Sequence, residues 1–414
     1  MRIWTITVGE PIPGFSGTSR QWRCGALSQV LADRGHDVTW WTSSVDHFSK
    51  TQMVPASVVH EVSDCLRIQF LRGPTYARNV SMARYWNHRV IAREFSRLAG
   101  GLAPPDLVLC SFPTIELSAA AVAFGVQRGI PVFLDIRDLW PDEILARVPL
   151  AMRGVGRLVL WPLFRDAAQA LRAATGIIGI SESYLHWALN RAGRSRTSAD
   201  RVFPLGYTAD LNRSEPRPEV GARLRALGVD PAKKILWFSG TFVGNIDLGT
   251  VIEAARALSG NRTIQFVFSG SGERDREWRR QAAGLGNVVF TGWVESEELL
   301  WLSRVAWAGL AAYRVGASMS LPNKLFEYMS MELPVLLSLK GEAKALVISE
   351  GLGAVYEAGS ARSLVELVSR IVEDAEWRAQ CASRARRLFE ERYSLDTLYA
   401  SYADFLEGQC PQHA

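Results

Sequence analysis

The segment SMSLPNKLFEYMSMELPVLLS sets a lysine and a glutamate three residues apart, just after a proline. Ser320 is suited to cap a helix, and Pro322 to sit in its first turn. Lys324 then falls in that first turn, where the helix dipole disfavours a cation unless an anion is present. A phosphate there would be held by the lysine and by the free N–H groups of the helix start. Glu327 shares a helix face with Lys324. Its carboxylate could accept hydrogen bonds from two vicinal hydroxyls, as on a ribose. The bland alternative is a surface Lys–Glu pair on an ordinary helix. With Pro322 and the flanking strands in place, the ligand reading is favoured.

Two glycine-rich turns have a related character. The strand WFSG runs into Gly240-Thr241-Phe242-Val243-Gly244-Asn245 and then a helix, and Ser269-Gly270-Ser271-Gly272-Glu273 follows another strand. Glycine lets backbone approach a ligand, although strand-to-helix turns use glycine for their own geometry as well. The run LDIRDLWPDEI offers Asp135 or Asp138 as a base toward a hydroxyl, and Arg137 to orient a phosphate. It reads equally well as a buried, salt-bridged turn. No His, Cys or carboxylate cluster has metal-ligand spacing, so no metal is expected. His36 reads as structural, and His186 has no partner that the sequence identifies.

These loops need strands to place them. In the first half, strands are predicted at Ile3–Val8, Asp37–Thr42, Leu66–Leu71, Leu107–Cys110, Val132–Ile136 and Gly176–Ile180. In the second they are Lys234–Ser239, Ile264–Ser269, Asn287–Thr291, Trp307–Ala312, Val335–Ser338 and Gly353–Tyr356. Amphipathic helical stretches separate many of them, and the last 50 residues read as mostly helical. Such alternation implies two α/β doubly wound domains with parallel sheets. Ligands in such sheets bind beyond the carboxyl ends of the strands. The expected division is 1–205, a linker over 206–220 rich in Pro, Gly, Asn and Asp, 221–392, and a helix and tail over 393–414.

Composition bounds the rest. The 414 residues suit two domains, and 48% hydrophobic with 21% charged residues is globular. Mean hydropathy is +0.02, and no apolar run reaches the roughly 18 residues of a membrane span. Five scattered cysteines without CxxC spacing argue for a reducing, cytoplasmic setting. The net charge of +5 comes entirely from the first half, which has a balance of +6 over 1–215. Seven arginines between Arg67 and Arg97 face one acid, Glu94. The stretch VPLAMRGVGRLVLWPLFRDAAQALR carries further arginines among Leu158, Leu160, Trp161 and Phe164. Such a pattern suits the headgroup layer of an anionic membrane, or else a solvated helix face in an arginine-preferring chain. No nucleic-acid-binding motif accompanies the charge, so no nucleic-acid partner is expected.

Taken in order, these motifs resemble the GT-B fold glycosyltransferases of the retaining family 4 type, over nearly the whole chain. PGFSGTSRQWRCGALSQVLADRGHDVTWWTS is similar to that family's glycine-rich loop, helix and second strand. LDIRDLWPDEI resembles the "RDLWP" signature of members that build bacterial surface polysaccharides. GIIGISESY, FSGTFVGNIDLGTVIEAARAL, FVFSGSGERD, VVFTGWVESEEL and PNKLFEYMSMELPVLLS follow in the family's order.

The resemblance implies two Rossmann-like domains facing across a cleft. It implies sugar transfer from a nucleotide diphosphate sugar, UDP favoured, to a hydroxyl with retention, without metal. The acceptor implied is a lipid-linked sugar or a polysaccharide at the inner membrane face. Carried over by motif, Glu327 would bind the ribose. Lys324, with backbone around Ser320, Leu321 and Asn323, would bind the diphosphate. Gly240, Thr241 and Gly270 would line the donor pocket, Trp293 and Val294 would meet the base, and Gly14 to Gly17 would close over the diphosphate. Two departures stand out. Met319 occupies the place of the family's first acid, and Asn245 to Leu248 lack its usual cation. Alternative readings are an epimerase of the same fold or a silent nucleotide-sugar-binding subunit. A nicotinamide-dependent oxidoreductase is disfavoured, because neither half opens with GxGxxG after its first strand.

Overall fold

The computed structural model describes residues 1–15, 22–208, 215–317 and 319–410. The chain divides into two units, Met1–Leu205 together with Leu398–Ala414, and Gly206–Thr397.

Runs of β-branched, leucine and aromatic residues form the strands of the first unit. They are β1 (Arg2–Ile6), β2 (Asp37–Ser43), β3 (Val59–Ser63), β4 (Leu66–Leu71), β5 (Leu107–Phe112), β6 (Val132–Ile136), β7 (Gly176–Gly179) and β8 (Arg201–Val202). Their order across the sheet is β3-β4-β2-β1-β5-β6-β7-β8. Every pairing is parallel except β3 with β4. Near-continuous apolar strands are what a parallel sheet demands, because helices cover its faces. Trp4, Trp41, Phe95 and Phe124 meet edge-on, tilted or stacked beneath the helices Met82–Ala99 and Ile115–Arg128.

The second unit repeats the plan with β9 (Lys234–Ser239), β10 (Ile264–Ser269), β11 (Val288–Gly292), β12 (Ala306–Ala311), β13 (Val335–Leu337) and β14 (Gly353–Val355). Its order is β11-β10-β9-β12-β13-β14, and all pairings are parallel. All twelve strands expected from the sequence are present. Two were not foreseen. β3 is exposed along its length and carries no buried apolar stripe, and β8 is only two residues long.

The helix Leu395–Glu407 places its residues from Leu398 onward with the first unit. There Tyr402 stacks on Phe203 with ring centroids 4.2 Å apart, and Arg34 pairs with Asp404 and Glu407. Among the described residues, no helix is long and apolar enough to cross a membrane.

Candidate functional site

In the second unit the candidate residues gather where β9 and β10 end and the helix Asn323–Ser330 begins. That helix is fixed from below by Tyr328, which is fully buried. Its hydroxyl donates to the Leu310 carbonyl at 3.1 Å, and its ring lies so close to Gly309 that a β-carbon there would meet it at 2.6 Å. With Tyr328 locked, Glu327 faces the end of β9. Ser239 Oγ donates to Glu327 Oε1 at 2.8 Å.

Lys324 lies one turn earlier. Its Nζ sits 4.4 Å from the centre of the Phe238 ring, so ring faces and not water surround much of the charge. Burial pulls the ammonium below its ordinary value, an effect that the Glu327 carboxylate opposes. A β-carbon on Gly240 would come within 2.7 Å of Nζ. Gly240 also has φ +129°, a conformation that L side chains rarely adopt.

Gly270, at φ +147°, approaches the Gly240 carbonyl so closely that a β-carbon would fall 1.9 Å from its oxygen. The glycine at 270 is therefore required by the packing of two turns on each other, whatever else binds there. Thr241 is exposed, Trp293 is exposed, and Val294 is buried after β11.

One expectation fails. Ser320 does not cap the helix, because Pro322 holds that position with extended backbone (φ −75°, ψ 148°). Ser320 Oγ instead donates to Glu342 Oε2 at 2.6 Å. Proline preset the turn two residues later than the serine suggested. Asn323 becomes the first helical residue and is exposed, and Leu321 is partly buried just ahead of it.

Arg314 was not foreseen. Its Nη1 donates to the Gly244 carbonyl at 3.0 Å, and its own N–H donates to the Asn245 carbonyl at 3.1 Å. A cation thus borders the very loop whose sequence lacks one. Asn245, Arg314 and Met319 share a cavity of about 480 Å³. Asn245 Nδ2 lies 3.5 Å from the Met319 sulfur, so Met319 does stand beside this loop.

In the first unit, the LDIRDLWPDEI run resolves into separate roles. Asp135 is fully buried and accepts from Arg23 Nε and Nη2 at 2.8 and 2.9 Å, and from Arg137 Nε at 2.9 Å. Burial opposes its ionisation, but Arg23 and Arg137 outweigh it and hold the carboxyl below the usual range. Arg137 also pairs with Glu10. Glu10 in turn accepts from the N–H groups of Cys24 and Gly25 at the start of the helix Arg23–Asp33. Asp135 and Arg137 are thus joined with Arg23 and Glu10 in one ion network, in which Asp135 is fully buried and the Arg137 side chain remains 18% exposed. Asp138 differs. It lies at the surface but closely surrounded, and desolvation and the neighbouring Glu143 push its carboxyl up to about 6.

Gly14 is exposed in a turn after β1 with φ +78°, and Gly17 lies outside the described residues. No group of three or more His, Cys, Asp or Glu side chains arranged to hold a metal ion occurs among the described residues.

Residues 233–374, most of the second unit, match the family described as glycosyl transferases group 1. No curated protein sequence matches the chain. Among solved structures, the chain is similar to a sucrose-phosphate synthase from Thermosynechococcus elongatus, with 17% identity, a TM-score of 0.69 and 98% of both chains covered. It is also similar to Anabaena HepE in complex with UDP, with 17% identity, a TM-score of 0.68, and 99% of this chain and 100% of that one covered. A third is WaaG, a glycosyltransferase involved in lipopolysaccharide biosynthesis, with 17% identity, a TM-score of 0.63, and 99% and 100% covered. The fold is GT-B. The family match and the fold together support a GT-B glycosyltransferase.

Proposed function

We propose that the chain is a retaining, metal-independent glycosyltransferase of the family 4 type and "RDLWP" subset. It moves a sugar, a hexose or an N-acetylamino sugar, from a nucleotide diphosphate sugar to a hydroxyl of a lipid-linked or polysaccharide acceptor in bacterial cell-surface glycan synthesis. The second unit is assigned the nucleotide sugar, the first the acceptor, and residues near 206–220 the link between them. The observation that carries this reading is the pairing of Lys324, packed against Gly240 at a helix start, with Glu327, held by Ser239 one turn on. UDP is favoured because HepE was solved in complex with it.

In the transfer, the bond from the anomeric carbon to the diphosphate breaks and a bond from that carbon to the acceptor oxygen forms. Negative charge develops on the leaving phosphate, so fixed positive charge and N–H donors there lower the barrier. Lys324 and the helix start beside Ser320, Leu321 and Asn323 supply them, and Arg314 is offered as the cation that Asn245 to Leu248 lack. Glu327 accepts from the ribose hydroxyls. Gly240, Thr241, Gly270 and Val294 complete the donor pocket. The acceptor proton passes to the leaving phosphate or to Asp138, whose raised carboxyl suits proton transfer near neutral pH.

The protein works in the cytoplasm, peripheral to the inner membrane face, through the arginine-rich first unit. Thermal shift with UDP and GDP, with and without sugars, tests the donor side, since a ligand that binds only the native state raises Tm. No shift with any nucleotide sugar overturns the reading. A shift without turnover on any acceptor would instead favour the silent binding subunit, the reading that Met319 in place of an acid suggests.

A further inference from the structure

The second sheet ends at β14, with no strand beyond it among the described residues. In the parallel ladder with β13, the Val335 N–H donates to the Leu352 carbonyl and the Tyr356 N–H to the Leu337 carbonyl, both at 3.0 Å. Alternate residues therefore turn their backbone groups to β13, and the N–H and C=O groups of Gly353 and Val355 point away from it. The strand is half-buried where β13 is fully buried. It carries no charge, proline or bulge of the kind that blunts a bare sheet edge.

A cavity of about 640 Å³ opens on all three residues of this edge. Its lining holds three cations, Lys340, Lys344 and Arg370, against one acid, Glu357. The three cations are exposed, and none makes an ion pair or a side-chain hydrogen bond among the described residues. Between them lies apolar surface, from Ile348, which is 58% exposed, and from the half-buried Trp377. Lys344 and Ile348 stand four residues apart on the helix Glu342–Ser349 and so share a face, with a rise of about 6 Å between them. Two residues of an extended strand rise about 6.8 Å, so a strand laid on β14 would meet the lysine and the isoleucine with successive side chains of one face. Arg370 and Trp377, from the helices Ala361–Ile371 and Ala375–Leu388, supply a second cation and a second apolar surface.

We propose that β14 is a docking edge for an extended acidic segment of a partner protein, which joins the six-stranded sheet as a further strand. The segment's backbone pairs with Gly353 and Val355, an acidic side chain meets Lys344, and an apolar one two residues away packs on Ile348. An isolated anion such as phosphate would answer the cations but leave the strand edge, Ile348 and Trp377 unused. A second copy of this chain would bring the same three cations to the seam, so the charge selects a different, acidic partner. This role is separate from sugar transfer and uses none of the residues assigned to it.

The test is fluorescence anisotropy of the full chain with a labelled peptide that repeats Glu-Glu-Val-Val, which sets an acid and an apolar residue two apart on each face of a strand. The peptide should bind, and its Lys-Lys-Val-Val counterpart should not. Methylating the backbone nitrogens of the acidic peptide keeps its charge and removes its strand donors, and should weaken binding by about tenfold or more. Lys344→Glu and Arg370→Glu, both at exposed positions, should each weaken it by about three- to tenfold, with circular dichroism unchanged. Hydrogen exchange should show the Gly353 and Val355 amides protected when the acidic peptide is bound. No binding of the acidic peptide, equal binding of the lysine peptide, or undiminished binding of the methylated one overturns the proposal.

Discussion

Ser239, the last residue of β9, donates its hydroxyl hydrogen to Glu327 across 88 positions of sequence. The bond fixes a carboxylate whose backbone is already held by the buried Tyr328 one residue on. A ribose-binding group needs such support, since an exposed glutamate on a short helix would sample several rotamers. Ser239→Ala should therefore weaken UDP binding by about three- to tenfold while Glu327→Ala costs more. Calorimetric titration with UDP measures both.

Lys324→Ala should lower UDP affinity and transfer by about ten- to a hundredfold, the range for losing a hydrogen bond to a charged group. Far-UV circular dichroism and Tm should stay near those of the parent, because burial already disfavours the ammonium in the empty site. Normal turnover in this variant would remove Lys324 from the chemistry.

Arg23 and Asp135 have side chains only 3% and 1% exposed. Removing one partner strands the other charge, so Arg23→Met should cost about 3–5 kcal/mol in urea unfolding. Asp135→Asn should destabilise in the same direction. If Asp135 were instead the base, its loss would abolish turnover at unchanged stability.

Asp138 supplies a pH test with a defined sign. Its folded carboxyl ionises near 6, above the ordinary value of 3.8. The unfolded chain thus gives up that proton first, and stability is lost as pH rises from about 4 through about 6. Asp138→Asn should accordingly be no less stable than the parent at neutral pH. If Asp138 takes the acceptor proton, transfer should fall as pH drops below about 6, and the asparagine variant should lose that limb. A parent profile flat through this range would assign the proton to the leaving phosphate.

Gly270→Ala should fail by a different route. The new methyl would sit 1.9 Å from the Gly240 oxygen at φ +147°, so both turns must move. We expect a clear drop in Tm together with weaker UDP binding, read by differential scanning fluorimetry.

What the sequence showed, and what it hid, follows the reach of each interaction. Pro322, Lys324 and Glu327 lie within one helical turn and a half, so their shared placement was legible from spacing alone. The strands were legible because parallel sheets need near-continuous apolar runs, which β9 and β10 supply. Ser239 and Arg314 were not legible, because each reaches its partner only after the sheet forms. The failed cap at Ser320 is a local error with a local cause: proline set the turn, and the serine found Glu342 instead. Asp135 and Arg137 sit in a motif that reads equally as chemistry or as a salt-bridged turn, and their partners Arg23 and Glu10 are distant in sequence, so the pairing itself was hidden.

The first unit is written in two instalments, with the whole of the second unit between them. During translation the second sheet can complete itself while Phe203 still awaits Tyr402 and Phe405, and Phe133 still awaits Phe405. The half synthesised earliest is thus the half finished latest. Nascent chains halted before residue 398 should be the ones that trigger factor-type holdases retain longest.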